Sequence, residues 1–106
     1  TGYIQVVTTA KTKDDAQEIA SAIVEQRLAG CVQVIGPTMS TYRWKGKIET
    51  TEEWLCLIKS KRNVYRELEK AIREVHRYEA PEILAIPVAA GSQSYLDWLD
   101  GELRKT

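Results

Sequence analysis

Residues 3–9, YIQVVTT, alternate apolar with polar side chains and are rich in β-branched residues, the pattern of a strand. Beyond Thr12 the apolar spacing changes to three and four. Ala16, Ile19, Ala20, Ile23, Val24 and Leu28 then fall on one stripe of a helix. Thr12, followed three residues later by Asp15, reads as the N-cap of that helix, and Gly30, which tolerates the left-handed conformation, as its end. Residues 31–44 are extended again but interrupted at Gly36-Pro37, where proline removes a ladder donor and a bulge or an edge is expected. Lys45-Gly46-Lys47 turns the chain into a return strand over 48–60, which contains the unbroken apolar run Trp54-Leu55-Cys56-Leu57-Ile58. A second one-sided helix over 63–75 carries Val64, Leu68, Ala71, Ile72 and Val75 on its stripe. Pro81 breaks the chain, residues 83–88 form a short apolar strand, and Ser92 caps a last helix bearing Tyr95, Leu96, Trp98 and Leu99.

The order is βαββαβ plus a C-terminal helix, an α+β, ferredoxin-like sandwich in which right-handed crossovers put both connecting helices on one face of an antiparallel sheet. A lone copy should then be apolar toward the helices and polar toward water. The pattern disagrees: Trp54, Cys56 and Ile58 point one way, Leu55 and Leu57 the other, and Ile83-Leu84-Ala85-Ile86 is apolar on both sides. The second face needs a cover that one terminal helix supplies only in part, so a homo-oligomer is expected. Tyr42 and Trp44, on alternate positions of the hairpin arm, and Trp54 are the candidate interface aromatics.

A chain of 106 residues, 43% hydrophobic and 28% charged, has room for one core, so residues 1–106 form a single domain. Fifteen basic residues balance fifteen acidic ones, which removes the positive field on which nucleic-acid binding rests. RNA recognition on the sheet is further disfavoured by the lack of phenylalanine. No apolar run approaches the roughly 20 residues that cross a bilayer, and TGYIQVVTT has no signal-like basic flank. A soluble, cytoplasmic protein without a membrane partner is expected. With the turn at Lys45-Gly46, Cys31 falls nearly opposite Ser60, about 13 Å along the ladder from Cys56 and beyond the roughly 7 Å Cα limit of a disulfide. Two free thiols fit a reducing compartment.

Tyr42-x-Trp44-x-Gly46 preceded by Ser40, AGCV over 29–32, Lys59 closing the long strand and HRYEAPE over 76–82 together resemble the CutA family of divalent-cation tolerance proteins, along almost the whole chain. The resemblance implies a ferredoxin-like subunit in a trimer similar in architecture to the P-II signalling proteins, joined by the long hairpin. It also implies a link to divalent metals and copper in bacterial members and to acetylcholinesterase anchoring in animal ones. Where that pattern leads one to expect proline beside the histidine, this chain has Arg77.

Cys31, Cys56 and His76, with Met39, are the soft or borderline metal donors, to be combined with carboxylates such as Glu53, Glu79 or Glu82. Their spacing is not a metal motif, so a site for Cu(2+) or Zn(2+) would be open and weak, or built from several copies. The metal candidates are Cys31, His76 and Glu53. Cys56 reads as core, and Cys31 as core or as a thiol at a subunit junction. His76 ends a helix, where it suits the exposed carbonyls, and precedes the loop of Tyr78 and Glu82. Lys59 is a cleft cation or an edge charge, and with Tyr78 and Glu82 forms the candidate ligand cleft. Three classes of function follow. The preferred one is a metal-binding homotrimer without turnover. An enzyme with Cys31 as nucleophile lacks a visible base, and a P-II-like regulator, holding a small anion with Lys59 and Arg77 between subunits, lacks a glycine-rich phosphate loop.

Overall fold

The alternation at the start of the chain becomes β1 (Tyr3–Ala10), and the elements that follow are α1 (Lys13–Glu25), β2 (Cys31–Trp44), β3 (Lys47–Lys61), α2 (Tyr65–Val75), β4 (Ile83–Pro87) and α3 (Gln93–Glu102). The computed structural model describes residues 2–105. The four strands form one antiparallel sheet in the order β2-β3-β1-β4, the ferredoxin-like arrangement expected from the pattern. Ile4 and Val6 of β1 and Cys56 and Ile58 of β3 face α1 and α2, whose Ile19, Ile23, Leu68 and Ile72 complete a closed core. Thr12 caps α1 as anticipated, its hydroxyl accepting from the Asp15 N–H at 3.0 Å.

The hairpin turn is the two-residue pair Lys45-Gly46, both at positive φ (52° and 82°), a twist that matches the flanking strands. From Trp44↔Lys47 to Thr38↔Glu53 the register follows from that turn. Between Thr38 and Ile35 it slips by one, because Gly36 and Pro37 together oppose Trp54. Cys31 therefore pairs with Lys59, not Ser60. At the bulge the strand runs close to the Trp54 ring: a Cβ on Gly36 would lie 2.6 Å from it, so glycine is required there. Trp54, expected to join subunits, is thus packed by its own chain, between Gly36 and the ammonium of Lys13, 5.8 Å from the ring centroid. Val34, not Cys31, faces Cys56, and the two thiols lie on opposite faces of the sheet, both free.

Two helix ends differ from the pattern. The left-handed residue after α1 is Arg27 (φ 60°), while Gly30 is small for another reason: a Cβ there would meet Leu99 of α3 at 2.5 Å. Ser92 makes no side-chain cap on α3. That helix is held instead at its other end, where the Arg27 guanidinium donates to the carbonyls of Gly101 and Glu102 at 2.8 and 2.9 Å and the Arg27 carbonyl accepts from the Arg104 N–H. Lys61, bonded to Asp100 at 2.8 Å, and Tyr3, whose hydroxyl donates to the Leu96 carbonyl, fasten α3 over one end of the sheet face opposite the core. Away from α3 and from the base of the arm, where Tyr78 reaches Glu53, that face is bare: Ile35, Leu84 and Ile86 are 50%, 57% and 47% exposed.

Arg27→Ala should free the C-terminal carbonyls of α3. We expect a melting temperature lower by about 4 °C, for roughly 1 kcal/mol of lost hydrogen bonding, and faster amide exchange in 93–103 than in α1. Equal protection of α3 in both proteins would contradict the clamp.

Candidate functional site

Alternation in the arm puts Ser40, Tyr42 and Trp44 of β2 on one face with Thr51 and Glu53 of β3, which sit opposite Ser40 and Thr38. The 77–82 loop lies across this surface at the base of the arm. Between them is a cleft of about 790 Å³, lined by Tyr42, Trp44, Glu53, Arg77, Tyr78, Glu79 and Glu82, with Thr9 and Lys11 from the end of β1. Five residues singled out from sequence, Tyr42, Trp44, Glu53, Tyr78 and Glu82, are thereby brought together. Lys11 and Thr51 were not singled out; the register carried the signal for Thr51, which lies two positions before Glu53 on the same face.

Glu53 is only 6% exposed, and its Oε2 accepts a 2.6 Å hydrogen bond from the Tyr78 hydroxyl. Among the described residues no lysine, arginine or histidine forms an ion pair with it. Burial, and then the hydrogen bond to Glu53, hold the Tyr78 phenol well above its ordinary range, so it is a donor at neutral pH. Tyr42 donates to or accepts from Thr51 at 3.3 Å.

His76 sets the loop. Its Nδ1 accepts the Tyr78 backbone N–H at 3.1 Å, so the ring proton sits on Nε2, which donates to the Thr9 carbonyl at 2.6 Å. Both ring nitrogens are used, and His76 has none left for a metal. Cys31 is also elsewhere: it pairs with Lys59, six residues along β3 from Glu53, roughly 20 Å away. The set Cys31, His76 and Glu53 therefore does not assemble within one chain, and among the described residues no three His, Cys, Asp or Glu side chains group as metal ligands. Lys59 is likewise outside the cleft, its ammonium donating to Gln33 at 3.0 Å on the bare sheet face, away from Tyr78 and Glu82. Arg77 turns from the cleft to α1, bonding Asp15 and Glu18 at 3.1 and 3.0 Å. Neither cation proposed for an anion is free in the cleft.

The profile described as "CutA1 divalent ion tolerance protein" matches residues 4–102. The chain belongs to this family. It is 39% identical over 94 residues to the divalent-cation tolerance protein CutA of Thermus thermophilus, covering 89% of this chain and 91% of that one. It is 46% identical over 84 residues to human protein CutA, covering 79% of this chain but 47% of the human one. The chain thus spans about half the length of the human relative and nearly all of the bacterial one. The Thermus thermophilus structure superimposes with a TM-score of 0.94 at 36% identity, over 96% of this chain and 99% of that chain. The Xylella fastidiosa CutA structure gives 0.95 at 34%, over 98% and 100%. The family description names tolerance of divalent ions, not a reaction.

Two outcomes test this geometry. Tyr78→Phe leaves the Glu53 carboxylate buried without its donor and should cost about 1–3 kcal/mol, read as a lower denaturation midpoint; a midpoint equal to wild type would contradict the bond. On the core face, burial raises the Cys56 thiol from its usual 9.0 to about 11. The unfolded chain therefore releases that proton first, and the stability it contributes, full below pH 9, is lost as pH rises toward 11. Cys56 should stay unalkylated at pH 9 in the folded protein, as mapped by peptide mass; rapid labelling of both cysteines would contradict its burial.

Proposed function

We propose that the protein is a homotrimeric divalent-cation tolerance protein that holds copper or zinc weakly, without turnover, at sites completed between copies. The observation that carries this is the bare apolar sheet face, Ile35, Leu84 and Ile86, continuous with an arm on which Tyr42 and Trp44 remain 41% and 39% exposed. Burying such a face against water favours association by roughly 25 cal/mol per Å² of apolar surface. A P-II-like trimer, with each arm laid on a neighbour, covers the sheet and brings the cleft lined by Tyr42 and Trp44 to the junction between copies. The cation reading is supported by family membership and by Glu53, a buried carboxylate that no cation among the described residues neutralises. Because the described residues of one chain group no three ligands, a divalent ion would share Glu53 with donors from a second copy, and the affinity would be modest. Cys31, near the bare face, is the thiol best situated to be such a donor. Two unpaired cysteines support residence in a reducing compartment, the cytoplasm.

Sedimentation at low micromolar concentration should give three times the 12.0 kDa chain mass. Leu84→Asp, which puts a charge on the bare face, should shift the protein to monomer, whereas Lys70→Asp on exposed α2 should not. A wild type sedimenting as a single chain would overturn the trimer. Zinc or copper titrated into that trimer should bind saturably and weaken at least tenfold in Glu53→Gln; binding indifferent to Glu53 would overturn the site.

A further inference from the structure

The cleft is much larger than an ion needs. A water's share of liquid volume is about 30 Å³, whereas about 790 Å³ lies within the range of small-molecule sites. Its walls are also wrong for an ion held by oxygen alone, because Tyr42, Trp44 and Tyr78 contribute aromatic rings. Ring faces attract cations that keep an organic stem, and Glu53 supplies the countercharge from a buried position with only the Tyr78 hydroxyl bonded to it. Charge accounting agrees. Glu53, Glu79 and Glu82 face Lys11 and, at the rim, Lys45, while Arg77 is already matched by Asp15 and Glu18, so the carboxylates still outnumber the cations by one. The chain itself displays the combination at the cleft's rim, where the Lys45 ammonium lies 5.6 Å from the Trp44 ring centroid and 4.0 Å from the Glu79 carboxylate.

We propose that this cleft binds an organic ammonium ion, a primary amine on a short aliphatic stem, with its head on Glu53 and its stem between the rings of Tyr42 and Trp44 and that of Tyr78. A primary amine fits better than a quaternary one, because the buried carboxylate is satisfied by N–H donors, which a quaternary nitrogen lacks. A second ammonium on the same stem reaches Glu82 at the mouth, where Glu79 already faces Lys45, so short diamines bind more tightly than monoamines. The proposal rests on the cation-binding reading of Glu53 given above and deepens it: amine and divalent metal compete for one carboxylate.

Calorimetric titration of the intact, chelator-treated protein with 1,4-diaminobutane and n-butylamine hydrochlorides, at pH 7.5 and matched ionic strength, tests this. Both amines should bind at one site per chain, the diamine more tightly, and 1-butanol and glutarate should not. Glu53→Gln should weaken the diamine at least tenfold and Trp44→Leu about threefold, each variant being checked by sedimentation and circular dichroism. Saturation-transfer signals from butylamine methylenes to wild-type tyrosine and tryptophan protons keep the test open if a variant fails to fold. No saturable amine binding by wild type, or binding unchanged in a folded Glu53→Gln, overturns the proposal; this includes the case in which a neighbouring copy's lysine fills the cleft. Zinc titrated into the same samples separates the two readings. Glu53-dependent zinc binding without amine binding sinks only the ammonium ligand, and the reverse sinks only the metal.

Discussion

Right-handed crossovers force both connecting helices onto one face of a four-stranded sheet, yet the strands carry apolar residues on both. Much of the rest follows from that conflict. The covered face closes over Ile58, Ile19 and Ile72 and stabilises the single chain. The other face receives one short helix, α3, held at its end by Arg27 and Lys61, and otherwise keeps Ile35, Leu84 and Ile86 in contact with water. Among the described residues no further element reaches that face. The missing layer is thus a constraint on assembly before it is a statement about function.

The elements were legible because each has a clean period: alternation in β1, three-and-four spacing in α1 and α2, and a two-residue turn marked by Lys45-Gly46. Detail was lost where the backbone departed from its period. The bulge expected at Gly36-Pro37 is present, but its one-residue shift does not follow from counting back from the turn, and it moved Cys31 one place along the ladder. The helix ends failed similarly. Gly30 was read as a conformational stop when its lack of a side chain serves Leu99, and the α3 clamp comes from Arg27, more than 70 residues away in sequence.

For the site, residue type proved a poorer guide than position. Cys31 and His76 were chosen because they are soft or borderline donors, but the fold spends both nitrogens of His76 on backbone groups and carries Cys31 to the far end of the sheet. Tyr42, Trp44, Glu53, Tyr78 and Glu82 converge because a strand's alternate residues share a face and the 77–82 loop lies against that face. The sequence signalled the arm's half of this arrangement through alternation. It had no means of giving the loop's half, which depends on a backbone carbonyl at Thr9 meeting an imidazole 67 residues later.

That imidazole governs the cleft at one remove. Nδ1 holds the Tyr78 N–H, the Tyr78 hydroxyl holds Glu53, and so the position of that buried carboxylate is tied through two hydrogen bonds to the His76 ring. Arg77, standing where a proline was expected, makes the restraint different in kind. Proline would stiffen the loop by fixing its own φ, whatever the solvent. Arg77 instead moors the loop to α1 through ion pairs with Asp15 and Glu18 in which its own side chain is 63% exposed, and such pairs weaken as salt rises. The short bonds of His76 and Tyr78 are part-buried and do not share that sensitivity. The loop is therefore held by two kinds of restraint, part-buried hydrogen bonds where it meets the carboxylate and exposed, salt-sensitive ion pairs on its outer side.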